Sequence, residues 1–83
     1  MEKKIRTDKQ QYKEWRILLS EKDMSVYRLS KDSGISYSTV LNAIKRDLGC
    51  MQIDTAIALC ETLGMDINEL IERIRYKDSA AKA

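Results

Sequence analysis

The chain has no histidine, no proline and no phenylalanine, and only three glycines and two cysteines among its 83 residues. The missing histidines exclude the most. Structural zinc usually takes four Cys or His ligands, which Cys50 and Cys60 do not supply, so no metal site is expected. The two cysteines read instead as small apolar residues of a reduced compartment, Cys60 on a helix face and Cys50 in a loop. Without an imidazole, a Ser or Cys nucleophile would need a Lys or carboxylate partner, and neither a Gly-rich phosphate loop nor a nucleophile elbow occurs. Neither an enzyme nor a cofactor is therefore expected. No apolar run reaches the roughly 18 residues of a membrane span, and the charged start from Met1 to Arg6 has no apolar core behind it to act as a secretion signal. A cytoplasmic protein away from the membrane is the expectation.

What is present describes a small helical domain. The residues are 43% hydrophobic and 34% charged, the balance of a compact soluble chain rather than a disordered one. A chain of this length buries only about 60% of its unfolded surface, so one core and no separate effector-binding domain are expected. The formal charge of +2 is too small to name a polyanionic partner, but its distribution is uneven. Residues 1 to 16 hold six Lys or Arg against three acids, whereas residues 48 to 83 hold four against six. The N-terminal half is the positive end.

Five short helical stretches, divided by Gly, Asp and Ser signals, make an all-α reading. The first runs from about Asp8 to Lys22, with Tyr12, Trp15, Leu18 and Leu19 as its apolar stripe and Ile17 off that stripe. Ser25 caps a second helix that carries Val26, Leu29 and Ser30 and stops at Gly34. Ser36 caps a third, with Val40, Ala43 and Ile44 on one face and Tyr37, Ser38, Leu41, Asn42 and Lys45 on the other. A fourth runs from Ile53 to Leu63, with Ile53, Ala56, Ile57, Cys60 and Leu63 spaced to face the core. Asp66 and Glu69 have capping-box spacing and open a fifth, whose stripe is Ile67, Leu70, Ile71 and Ile74. Residues 1–10, with Lys3, Lys4 and Arg6, are expected to form a flexible basic arm that lies free in solvent. Residues 11–76 would be the domain, and residues 77–83 a frayed tail.

The block from Met24 to Ile44, with Ser30 at the helix contact, Gly34 in the turn and Leu29, Ile35, Val40 and Ile44 pointing inward, resembles the helix-turn-helix of the Cro and phage-repressor family. Ile53-Asp54-Thr55 and the run from Leu63 to Leu70 are similar to the two helices that follow the motif there, so the likeness covers about residues 11 to 74. It implies a five-helix, lambda repressor-like domain whose third helix, about Ser36 to Arg46, lies in the major groove of double-stranded DNA. Tyr37, Ser38, Leu41 and Asn42 would then meet base edges. Asn42 is the best reader, because its amide offers a donor and an acceptor together, as adenine N6 and N7 require. Ser25, Tyr27, Arg28, Ser36, Thr39, Lys45 and Arg46 would contact phosphates and fix the register.

The resemblance also implies a transcriptional regulator, read here as a repressor that occludes a promoter and binds an inverted repeat as a homodimer. One such module buries little surface by itself, and a two-fold pair sets its reading helices about 34 Å apart, one turn of DNA. Ile71, Ile74 and Tyr76 are the candidate dimer contacts, with Ile17 or Leu19 as alternatives. The competing expectation is a helical module or antitoxin-like protein that uses the same fold to bind a protein partner.

Overall fold

The structure is a computed structural model and describes residues 4–77. Five helices account for most of it, and each begins where the chain supplies a side-chain acceptor, with one exception. Helix α1 (Asp8–Glu21) opens on a capping box: the Thr7 hydroxyl accepts from the Gln10 N–H, and the Gln10 side chain accepts from the Thr7 N–H. Helix α2 (Val26–Ser33) and helix α3 (Tyr37–Ile44) are capped by Ser25 and Ser36, whose hydroxyls accept from the amides of Arg28 and Thr39. A 3₁₀ turn (Leu48–Cys50) leads to α4 (Ile53–Leu63), where Gln52 makes no capping side-chain bond. Helix α5 (Ile67–Leu70) starts on the expected Asp66 and Glu69 box and continues as a π-helical turn (Ile71–Arg75). Gly34 and Gly64 end α2 and α4 with φ of 77° and 69°, a left-handed conformation that a Cβ would strain.

Around a wholly buried Trp15, one core gathers Leu18 and Leu19 of α1, Leu29 of α2, Val40 and Ile44 of α3, Leu59, Cys60 and Leu63 of α4, and Leu70 and Ile74 beyond. Helix α2 packs on α3 and α4, while α1 packs on the π-helical turn. The stripe of α4 differs from its expected one. Thr55 and Leu59 face inward with Ala56, Cys60 and Leu63, whereas Ile53 is 70% and Ile57 48% exposed. The helix is rolled so that its Thr55 and Leu59 side meets the bundle, where α4 packs on α2 and α5, which leaves the two isoleucines on an open flank one turn apart.

A second difference lies at the start of the chain. Lys4–Ile5 (β1) pairs antiparallel with Tyr76–Lys77 (β2), so that Lys4 faces Lys77 and Ile5 faces Tyr76. Arg6, expected in a free arm, donates its backbone N–H to the Arg75 carbonyl at 2.8 Å and its guanidinium to the carbonyls of Arg73 at 2.7 Å and Tyr76 at 2.8 Å. A cation at the open carbonyls of a helix end is favoured by both hydrogen bonding and the helix dipole, which is why this arginine docks on the protein. Lys3 and residues 78–83 of the expected tail lie outside the described residues.

Gln11 is the buried polar residue that organises this end. Its Nε2 donates to the Arg6 carbonyl at 2.8 Å and to Asp47 Oδ1 at 3.1 Å, and its Oε1 accepts from the Leu48 N–H at 2.7 Å. The same Asp47 oxygen accepts from the Gly49 N–H and from Arg75 Nε. Partial burial pushes the Asp47 carboxyl upward, but the Gly49 amide, Arg75 and Gln11 outweigh it and hold the group below the usual carboxylate range. The loop that leaves α3 is thereby tied to α1 and to the chain's end.

Candidate nucleic-acid interface

Helix α3 has a narrow buried edge, Val40 and Ile44, and that edge fixes which side chains stand clear. At 100° per residue the direction opposite the core falls on Ser38, Asn42 and Lys45, all exposed, which form an outer ridge at i, i+4 and i+7. Tyr37, about half exposed, and Leu41, half-buried and packed on the core, flank that ridge on one side. Thr39 and Arg46 flank it on the other. Leu41 therefore offers an apolar edge rather than a free side chain.

Concave surfaces border the helix on both sides. Tyr37 and Leu41 face a groove closed by α1 and the start of α2, where Ser25, Tyr27 and Arg28 stand. Thr39, Asn42 and Arg46 face a smaller hollow closed by Met51, Gln52 and Thr55 at the start of α4. The second hollow meets the one helix start that carries no side-chain cap. Residues separated in sequence, from Ser25 to Gln52, thus line one surface with α3 along its middle.

The groups expected to touch phosphate are placed there with different degrees of freedom. Ser25 and Ser36 spend their hydroxyl oxygens on capping, and the Ser36 hydroxyl also donates to Thr39 Oγ1 at 2.8 Å. Arg28 pairs with Asp32 one turn on, at 3.0 Å, but both side chains are exposed, so this pair is worth no more than about 1 kcal/mol and yields to a stronger anion. Tyr27 is largely exposed, with the Lys31 ammonium 5.6 Å from its ring centroid. Lys45 closes α3 and Arg46 follows it, both exposed and ahead of the anchored Asp47.

Two helices meeting through a tight Gly34 turn, with the second presenting a polar ridge beside a helix start, is a geometry built to enter a nucleic-acid groove. A family model for the Cro/C1-type HTH DNA-binding domain matches residues 16–75, well over half of the chain. The chain belongs to that Cro/C1-type family. No match was found among curated proteins or among solved structures. In this Cro/C1-type domain the helix-turn-helix is α2 and α3, and α4 and α5 complete the fold that carries it. No helix among the described residues is long and apolar enough to cross a membrane.

Of the expected dimer contacts, Ile74 is wholly buried and Leu19 nearly so, since both complete the core, and neither offers surface to a second chain. Ile71 is half-buried against the core, and Tyr76 lies in the terminal strand pair. Ile17 is exposed on α1. The sequence reading singled out neither Gln11 nor Arg16. Gln11 continues the Trp15 and Leu18 stripe one turn back, at i−4 from Trp15, and that spacing was its signal. Arg16 lines the groove beside Tyr37, and nothing in its local sequence marks it.

Proposed function

We propose that the protein is a sequence-specific double-stranded DNA-binding regulator of transcription, acting as a repressor that occludes a promoter. The observation that carries this reading is the outer ridge of α3, where Ser38, Asn42 and Lys45 stand free between two concave flanks. Asn42 reads a base edge through its amide, with Ser38 beside it and Tyr37 and Leu41 packing on thymine methyl groups. Ser25, Tyr27, Arg28, Ser36, Thr39, Lys45 and Arg46 hold the backbone and set the register. Two copies sit on an inverted repeat. The open flank of α4, with Ile53 and Ile57, supports pairing better than the buried Ile74, because a two-fold contact joins the same patch on both chains and an apolar patch is self-complementary.

Selection of bound duplexes from a random pool tests the reading. A palindromic winner is expected, with half-sites spaced by about one helical turn. Enrichment of no duplex at low salt would refute it. The exposed isoleucines also favour a second reading, in which the fold binds a protein partner as an antitoxin-like module does. Salt separates the two, since binding through several phosphates weakens steeply between 50 and 200 mM.

A further inference from the structure

We infer that the outward ridge of α1 is a docking face for a partner protein, and that its occupant is a helix whose apolar stripe is edged by acids. Neither the α3 ridge nor the open flank of α4 takes part, so the inference stands beside the DNA-binding reading. At about 100° per residue, the direction opposite Trp15 and Leu18 falls on Lys9, Lys13, Arg16, Ile17 and Ser20, all exposed. Tyr12, Lys13, Arg16, Ile17 and Ser20 line a hollow of about 440 Å³ on this ridge, roomy enough to receive an aliphatic side chain. Ile17, 40% exposed, and the Tyr12 ring supply its apolar wall, and the carbon stems of Lys13 and Arg16 extend it.

Charge on α1 is sorted by side. Glu14 and Glu21 stand on one flank, where they pair with Arg6 at 3.7 Å and Arg73 at 2.6 Å. Asp8 lies in the first turn, on the Tyr12 side. Lys9, Lys13 and Arg16 stand outward at i, i+4 and i+7 and pair with no carboxylate among the described residues. The Arg16 guanidinium is held 5.9 Å from the Tyr12 ring centroid, at the rim of the hollow. The ridge is thus a row of unmatched cations beside an exposed isoleucine. An acid-edged helix meets both features, because its carboxylates face the cations and its apolar stripe covers Ile17. A duplex backbone brings the charge but no apolar group for the hollow. A bilayer needs a whole apolar stripe, where this ridge carries a single isoleucine. Charge and shape together select a polypeptide.

The test titrates the isotope-labelled full chain with four probes: a helical peptide of leucine and glutamate with leucines at i, i+3, i+4 and i+7, the same peptide with alanine for leucine, an unrelated DNA duplex, and vesicles of phosphatidylcholine and phosphatidylglycerol. At low salt the leucine peptide is expected to bind saturably with amide shifts confined to α1, and the alanine peptide to bind about tenfold more weakly. Lys13→Glu with Arg16→Glu, and separately Ile17→Asp, should each weaken the leucine peptide by about tenfold. Thermal unfolding should stay unchanged because these side chains are exposed. Lys13→Gln with Arg16→Gln repeats the test without reversed charge should a variant unfold early. No saturable binding of the leucine peptide overturns the inference, and so does equal binding of the alanine peptide, the mark of charge alone. Shifts on α1 from the duplex or the vesicles, with none from the peptide, would assign the ridge to nucleic acid or lipid and overturn it too. Self-association of the full chain in sedimentation that Ile17→Asp abolishes, with no peptide bound, would assign it to a second copy and do the same. Operator binding through α3 enters none of these outcomes.

Discussion

Replacing Gln11 with leucine asks how much the polar node behind the reading helix contributes. Leucine keeps much of the volume in a wholly buried position, so the change removes hydrogen bonds without opening a large cavity. The buried Leu48 N–H loses its acceptor at 2.7 Å, and an orphaned buried donor costs about 1–3 kcal/mol. The Arg6 carbonyl and Asp47 each lose a donor as well, though Asp47 keeps Gly49 and Arg75. Together these losses come to about 2–3 kcal/mol, partly offset by the added apolar burial. For a domain of this size each kcal/mol moves Tm by about 4–8 °C, so a fall of roughly 10–20 °C is expected in thermal unfolding followed by circular dichroism. The same variant should bind DNA more weakly at temperatures where it is still folded, because Asp47 anchors the loop that begins at Lys45 and Arg46. A shift below about 3 °C would refute the reasoning, since it would mean that Leu48 and Arg6 find other partners without cost.

Asn42→Ala should lose about 1–3 kcal/mol of discrimination at a single base pair of a selected operator, read by titrating duplexes altered one position at a time; an unchanged preference removes its assigned role. Arg46→Ala should instead weaken all duplexes alike and flatten the salt slope by about one contact, whereas a sequence-dependent loss would contradict a backbone role. Asp47 has a depressed folded pKa, so its stabilisation is complete above the unfolded value of about 3.9 and is lost as pH falls through the lower folded one. Asp47→Asn should thus be less stable than the parent at neutral pH and approach it in acid; an equal gap at pH 2 and pH 7 in denaturant titrations would rule that out. Ile57→Lys should leave binding to one half-site unchanged and abolish cooperative binding to two, while intact cooperativity would move the dimer contact away from α4.

Most of the architecture was legible because its signals are local. Thr7 was not foreseen as a cap, but Ser25, Ser36 and the Asp66 and Glu69 pair declare helix starts within four residues, and Gly34 and Gly64 declare ends. The facing of α4 was harder to read. Ile53 and Ile57 satisfy the same 3.6-residue rhythm as Thr55 and Leu59, and only the packing of α2 and α5 decides which set is covered. The terminal pairing was invisible for a different reason. A two-residue strand has no alternation to detect, and the Arg6 bonds span more than 65 residues of sequence. The ridge of α3 follows from helical period alone, whereas the two flanking hollows require α1 and α4 to be in place.

The join between Lys4 and Lys77 places the two ends of the described segment side by side at one corner. Fusions, labels or tethers joined directly to Lys4 or to Lys77 would crowd that same corner. Bridging the two by a few flexible residues and cutting the backbone at a surface turn would reorder the gene while leaving every helix its present neighbours. Such a permuted chain would separate what the fold owes to its spatial arrangement from what it owes to the order in which its helices are made.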